Sequence, residues 1–308
     1  MSLSTEGVTH VINHIMVPLD GSDLAERAIP AAERLAAATG ATLHLVRVVD
    51  VPQELKAALG PVYLPGTLYE ELMTRETEAA TAYLGAVRER VTGEAHVMAR
   101  AKQLAGDTAE TLLGYERDAG IDLVVMCSRG RGRGDLTRFA LGSVAERLLR
   151  HSPVPILLVR TVGALVTLEH ALVPLDGSVR GEEALRVVAA LAHAAPRTVA
   201  REVTLLRVIE TEEQRTEAAR YLEEAARGLR AMGFPGENVC SWRVEQGNPA
   251  LSIIDAAGTD KLIVMASHGR SGWTRWALLG SVAERVAHYG AAKVLILRKD
   301  VVQQTPPP

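Results

Sequence analysis

The chain has 308 residues, a formal net charge of −3, 47% hydrophobic and 23% charged residues, and two cysteines. That is enough for two domains with separate cores, and the charge offers no global attraction for nucleic acid or an anionic membrane. Cys127 and Cys240 stand on different halves of the chain and form no CxxC, which excludes a disulfide framework, gives no dedicated metal site and fits a reducing cytoplasm. No stretch approaches the roughly 20 apolar residues of a membrane span, and no basic-then-apolar leader is read at the start, so the expected location is cytoplasmic.

In chain order, an apolar run at residues 15–18 stops at Asp20-Gly21-Ser22, which predicts a strand and a turn into a helix. Residues 24–39 are alanine-rich with helical spacing and stop at Gly40, and Pro30 is expected to kink that helix. A second strand follows at 43–49. Residues 51–66, with Pro52, Pro61 and Pro65, read as a loop or a short interrupted helix, and 68–91 as a long helix. A third strand is expected at 96–103, and Gly106-Asp107 then caps a helix that runs to Gly120.

The fourth strand, at 122–126, runs into a basic loop containing glycine, and Gly142-Ser143 opens the next helix. Ser143 stands three residues before Glu146, the spacing of a capping box, with Ser143 as its N-cap. Ser152-Pro153-Val154-Pro155 breaks the chain before a last strand at 156–159.

The pattern then returns. HIMVPLDGS at 14–22 reappears as HALVPLDGS at 170–178, and LHLVRVVD at 43–50 as VTLLRVIE at 203–210. LVVMCSRGR at 123–131 reappears as LIVMASHGR at 262–270, and LGSVAER at 141–147 as LGSVAER at 279–285. The second copy has a helix at 211–232, an Asn248-Pro249 helix start, strands at 261–265 and 294–297, and a second Ser281/Glu284 capping box. A period this long means two whole domains, 1–163 and 164–308. Each reads βαβαβαβαβ, with apolar strands alternating with helices. The fold class is therefore α/β: two tandem doubly wound five-stranded parallel sheets with strand order 3-2-1-4-5.

Ligands of such sheets sit beyond the carboxyl ends of the strands, where the strand order reverses. Asp20 then faces the loop at 127–134, and Asp176 the loop at 267–272. Glycines 142 and 280 stand where a missing Cβ lets a ligand approach free amides and the positive end of a helix dipole. Several alternatives stay open on the residues alone. The aspartates also suit turns that bond their own backbone. Cys127 is a redox thiol or a small residue ending a buried strand. His268 touches a phosphate or solvent, Trp273 and Trp276 stack on a base or pack against a domain, and Arg129, Arg131, Arg133 and Arg138 hold phosphates or form a wet surface.

The PLDGS turn, the SRG or SHG loop and the LGSVAER helix start, each occurring twice, resemble the universal stress protein family and its tandem members. The resemblance implies a sheet of the adenine nucleotide alpha hydrolase-like type and a nucleotide-dependent role in stress tolerance without a firmly assigned reaction. It implies ATP as ligand, with or without Mg2+ on its phosphates. It also implies that the last strands of the two domains pair with each other and that chains form homodimers.

Carried over by position, Asp20 and Asp176, beside Pro18, Leu19, Pro174 and Leu175, contact the adenosine part. Val49 and Ile209, near the ends of the second strands, border the base. Met126, Cys127, Ser128, Arg129 and Gly130, with Met265, Ala266, Ser267, His268 and Gly269 in the second copy, form the loop. Gly142, Ser143 and Val144, and likewise Gly280, Ser281 and Val282, face the phosphates. The family's ATP pattern is Gly, two residues, Gly, nine residues, Gly, then Ser or Thr. Here Cys127 and Ala266 replace the first glycine, and the longer gap holds eleven residues in one copy and ten in the other. Besides ATP binding, a scaffold with a degenerate pocket and a slow ATPase are the other readings. GxxxxGK[ST] is absent, and no general base aimed at water is evident.

Overall fold

The computed structural model describes residues 12–50, 66–130, 141–160, 167–269 and 279–298, the side chains of 66–69 excepted. The expected loop at 51–66 therefore lies almost wholly outside the described residues. So do Arg131, Arg133, Arg138, Trp273, Trp276 and the 163/164 domain boundary.

The first half runs β1 (His14–Pro18), α1 (Asp23–Glu26), α2 (Ile29–Thr39), β2 (Thr42–Val49), α3 (Gly66–Glu94), β3 (Ala99–Ala105), α4 (Thr108–Asp118), β4 (Leu123–Cys127), α5 (Ser143–His151) and β5 (Ile156–Val159). The second runs β6 (Leu168–Pro174), α6 (Val179–Ala194), β7 (Val199–Ile209), a 3-10 turn at Glu212–Gln214, α7 (Arg215–Ala231), β8 (Val239–Gln246), α8 (Pro249–Ala257), β9 (Leu262–Ala266), α9 (Ser281–Tyr289) and β10 (Lys293–Leu297). Pro30 breaks the first helix instead of kinking it. Arg27 closes α1, and Pro30 falls in the first turn of α2, where its missing N–H has no intrahelical acceptor to lose. Gly40 ends α2 at φ 75°, a left-handed cap that suits glycine.

The strands form a single sheet in the order β3-β2-β1-β4-β5-β10-β9-β6-β7-β8. Each half thus has the order 3-2-1-4-5, but the two sheets are continuous, not separate. All neighbours are parallel except β5 and β10, which pair antiparallel with Leu157 opposite Leu295. Alternation of side chains sorts the core into two layers. Ile15, Val17, Leu43, Leu157, Leu205 and Leu295 lie on the layer covered by α2, α3, α6 and α7. Met16, Val46, Ile156, Leu158, Ile263 and Ile296 lie on the layer covered by α4, α5, α8 and α9. Both layers cross the β5/β10 junction without a break. At about 25 cal/mol per Å² of apolar surface, each fully buried Leu or Ile contributes roughly 1.5–3 kcal/mol.

One buried carboxyl interrupts this apolar packing. Glu116 on α4 is 1% exposed. Its Oε2 accepts from Ser152 Oγ at 2.8 Å, while Oε1 has no hydrogen-bond partner among the described residues. Burial raises its pKa from the ordinary 4.5 to about 7, partly offset by the Ser152 hydrogen bond and by Arg117 and Arg298. The folded protein therefore holds a proton that the unfolded chain releases. The associated stability is full below pH 4.5 and is lost as pH rises through about 7. Urea unfolding at pH 5 and pH 8 should show Glu116→Gln recovering on the order of 2–3 kcal/mol at the higher pH and little at the lower.

Candidate functional site

Parallel pairing of β1 with β4, Ile15 opposite Leu123, brings the two strands' carboxyl ends side by side. Asp20 leaves the end of β1. Its Oδ1 accepts from Ser22 N at 2.9 Å and Ser22 Oγ at 2.6 Å, and Ser22 Oγ in turn accepts from Ala25 N to cap α1. One carboxylate oxygen is therefore fixed by the local turn, as the turn reading of this residue requires. The other faces the loop after β4: a Cβ on Gly130 would lie 2.1 Å from Asp20 Oδ2. The second half repeats this. Asp176 Oδ1 accepts from Ser178 N at 3.0 Å and Ser178 Oγ at 2.5 Å, and a Cβ on Gly269 would lie 2.1 Å from Asp176 Oδ2. Aspartate and glycine loop converge in both halves. They meet in contact, however, and not across an open gap.

The loop is pinned to the following helix. Gly142 N donates to Ser128 O, and Gly280 N to Ser267 O, each at 2.8 Å. These bonds set the helix starts one residue earlier than the capping-box reading. Gly142 and Gly280 are the N-caps, in extended conformation, and among the described residues no side chain caps either helix. Ser143 and Ser281 are the first helical residues and are exposed. The glutamates of the expected boxes turn elsewhere: Arg150 Nη2 donates to Glu146 Oε1 at 3.1 Å and to Glu284 Oε1 at 2.8 Å. The amides of Ser143 and Val144, and of Ser281 and Val282, therefore sit in a first turn that supplies no intrahelical acceptor.

The remaining candidates divide by depth. The side chains of Leu19, Cys127 and Leu175 belong to one core layer and those of Met126 and Met265 to the other, so only their backbone can reach the crevice. Val49 and Ile209 are also buried, and their carbonyls already accept from Gly106 N and Gly247 N at 3.1 Å. Pro18 and Pro174 are half-buried at the strand ends. Ser128 and Ser267 are buried, Arg129, Ala266 and His268 half-buried, and His268 Nδ1 lies 3.2 Å from Ser267 Oγ. Burial pushes the Cys127 thiol up to about 12, which leaves it a small residue ending a buried strand and not a reactive thiolate. Among the described residues no group of three or more His, Cys, Asp or Glu is placed to hold a metal ion, and no helix is long and apolar enough to cross a membrane.

The universal stress protein family profile matches residues 12–160 and again 167–298. The chain belongs to the universal stress protein family. A universal stress protein of Mycolicibacterium smegmatis is 28% identical over 298 residues, 92% of this chain and 96% of that protein. Universal stress protein YxiE of Bacillus subtilis is 29% identical over 151 residues, 49% of this chain and 100% of its own. The tandem arrangement is thus shared with the first, and the second spans one repeat. A universal stress protein from Archaeoglobus fulgidus, with 19% identity, superposes with a TM-score of 0.68 over 93% of this chain and 98% of its own, which establishes the shared fold.

One feature beside these turns, present in both halves, is not marked by the motifs. Arg47 lies over the Tyr83 ring at 5.4 Å, and Arg207 over the Tyr221 ring at 5.6 Å. Arg207 Nη1 also donates to Leu175 O at 3.2 Å, directly before Asp176. The signal was present in LHLVRVVD and VTLLRVIE, where the arginine recurs at the same position of mostly apolar strands.

The two cap glycines differ in clearance. A Cβ on Gly142 would meet Ser128 O at 3.6 Å, an ordinary contact, whereas one on Gly280 would meet Ser267 O at 2.9 Å. Gly280→Ala should therefore cost about 1–3 kcal/mol by chemical denaturation, and Gly142→Ala clearly less.

Proposed function

We propose that each half of the chain holds one ATP and that occupancy, not turnover, is what this universal stress protein reports in a stress response. The observation that carries the reading is the doubled convergence of a carboxylate, a glycine loop and a helix N-terminus beyond neighbouring strand ends. The aspartate suits the hydroxyls of the adenosine part. The first-turn amides of α5 and α9, at the positive end of each helix dipole, suit the phosphates. The residues fit such a ligand in one further respect: Gly280 packs so closely on Ser267 that a side chain there would displace the loop from the helix start. Mg2+, where present, would ride on the phosphates. No Walker lysine is present to support rapid hydrolysis.

A second reading, a protein-interaction scaffold of the same fold, is favoured by one specific feature. One oxygen of Asp20 and of Asp176 is held by the turn serine, and the other lies so close to the loop glycine that a side chain there would collide with it. Nucleotide entry on the first reading must lift Gly130 and Gly269 from these carboxylates.

Equilibrium dialysis with ATP separates the two. ATP binding should fall about tenfold to a hundredfold at one pocket with Asp20→Ala, at the other with Asp176→Ala, and at both with the double variant. Undiminished binding in the double variant would remove the proposed site, and no binding to the unaltered chain would favour the scaffold. The homodimer carried by the family resemblance is read separately, by light scattering on the eluting protein. Since β5 and β10 pair within the chain, a second chain would need another face.

A further inference from the structure

The two helices that open at the candidate sites are held at their far ends by the opposite half. Arg160 follows β5. Its Nε donates to Ala292 O at 3.3 Å, and its Nη2 to Val286 O at 3.2 Å and Ala287 O at 2.5 Å. Val286 and Ala287 lie toward the end of α9. Arg298 follows β10. Its Nε donates to Ser152 O, its Nη1 to Leu149 O and its Nη2 to Arg150 O, each at 2.8 Å, at the end of α5. The partners are 126 to 149 residues apart in sequence.

The exchange is reciprocal, and at Ala287 O, Leu149 O and Arg150 O its chemistry is that of a helix C-cap, while Val286 O also accepts from Gly290 N and Ala292 lies just beyond α9. The last carbonyls of a helix lack intrahelical donors and carry the negative end of the dipole, which a guanidinium satisfies on both counts. Burial lowers the Arg160 pKa to about 10, so it remains cationic at neutral pH. Arg150 adds a tie between the two helices by bridging Glu146 and Glu284. Each helix has nine residues, a rod of about 13 Å, so the grip at one end fixes where the first-turn amides point at the other.

We propose that Arg160 and Arg298 are crossed positioning residues: the arginine of each half sets the phosphate-facing helix of the other half's pocket. This rests on the ATP reading given above for those pockets. A clasp that only held the halves together would affect both pockets alike. A crossed clasp would not.

The test uses full-length chains with one pocket removed. With Asp20→Ala, leaving the second pocket, Arg160→Lys should lower ATP affinity about fivefold or more while Arg298→Lys leaves it unchanged. With Asp176→Ala the order should reverse. Lysine keeps the charge but not the three-way grip, which favours retention of the fold. Amide hydrogen exchange without nucleotide supplies a second readout. Arg160→Lys should speed exchange at residues 284–287 and Arg298→Lys at 146–149, where the amides first find acceptors within the helix. Equal effects on both helices and both pockets, or none, would overturn the proposal. Should neither single-pocket chain bind ATP, the ATP reading fails, and the exchange pattern still decides whether each arginine sets the opposite helix.

Discussion

The pairing of β5 with β10 is the constraint from which the arrangement of the molecule follows. Both strands are buried along their whole length, Ile156–Val159 and Lys293–Leu297, and each is the last strand of its half. An apolar edge strand with open N–H and C=O groups invites uncontrolled pairing. Here each covers the other, with Leu158 opposite Val294 and Ile156 opposite Ile296. The pairing is antiparallel, so the two last strands run in opposite directions across the junction. It also brings the helices before those strands, α5 and α9, alongside one another, which is why Arg150 reaches Glu284 and why Arg160 and Arg298 reach across.

The two halves share this frame but are not equivalent away from it. In the first half, buried His44 bonds Tyr115 Oη through Nδ1 at 2.8 Å and lies 3.1 Å from His14 Nδ1. Burial, with His14 and Arg100 nearby, holds its pKa down at about 4, so it packs as a neutral ring at physiological pH. In the second half Thr204 takes the His44 position of the strand repeat, and His170 instead faces Glu202 at 3.1 Å. Glu116 and Ser152 make the same point. Counting from the helix caps Asp107 and Asn248, Glu116 corresponds to Ala257, and Ser152 corresponds to Gly290 at the end of α9. The first half thus carries His44 and Glu116 in its packing where the second has the non-titrating Thr204 and Ala257. At the strand ends, by contrast, the aspartate and loop glycine repeat their approach, 2.1 Å from a Cβ on Gly130 or Gly269 to the carboxylate, although Arg129 is replaced by His268 and Cys127 by Ala266.

Much of this was legible in the chain because the physics is local. Short apolar runs marked β1, β2, β4 and β5 to within one residue, whereas β3, ARAKQLA, is not an apolar run and begins three residues later than expected, and the repeat marked the second half without a range for β8. Where the reading missed, a non-local partner had decided the outcome. Ser143 and Ser281 have the spacing of capping residues, yet the carbonyls of Ser128 and Ser267 hold the preceding glycines and move each cap back by one. Pro30 looked like a kink because the residues on either side are good helix formers. The Asp20 turn and the preference of proline for a first turn make it a new start. Arg160 and Arg298 were invisible as a pair, since nothing within either half says that a cation after the last strand will find the other half's helix.

The arginine and tyrosine stacks explain how the site is kept in register with the rest of the fold. The aspartate turns depend on the carbonyl ends of β1 and β6, which are fixed laterally by the second strands: Leu19 N donates to Val46 O and Leu175 N to Leu206 O, both at 2.8 Å. The next residue along each second strand is Arg47 or Arg207, whose guanidinium turns back over a tyrosine of the helix that covers the sheet. In the second half that guanidinium also lies 3.3 Å from where a Cβ of Gly177 would stand, so it packs directly on the turn carrying Asp176. Tyr221 Oη reaches Glu182 Oε1 at 3.5 Å, in the first turn of α6. Strand, covering helix, turn and next helix are thereby joined around one cation. A carboxylate held this way keeps its position because four separate elements would have to move together to displace it. That is the rigidity a site needs when its opposite wall is a loop.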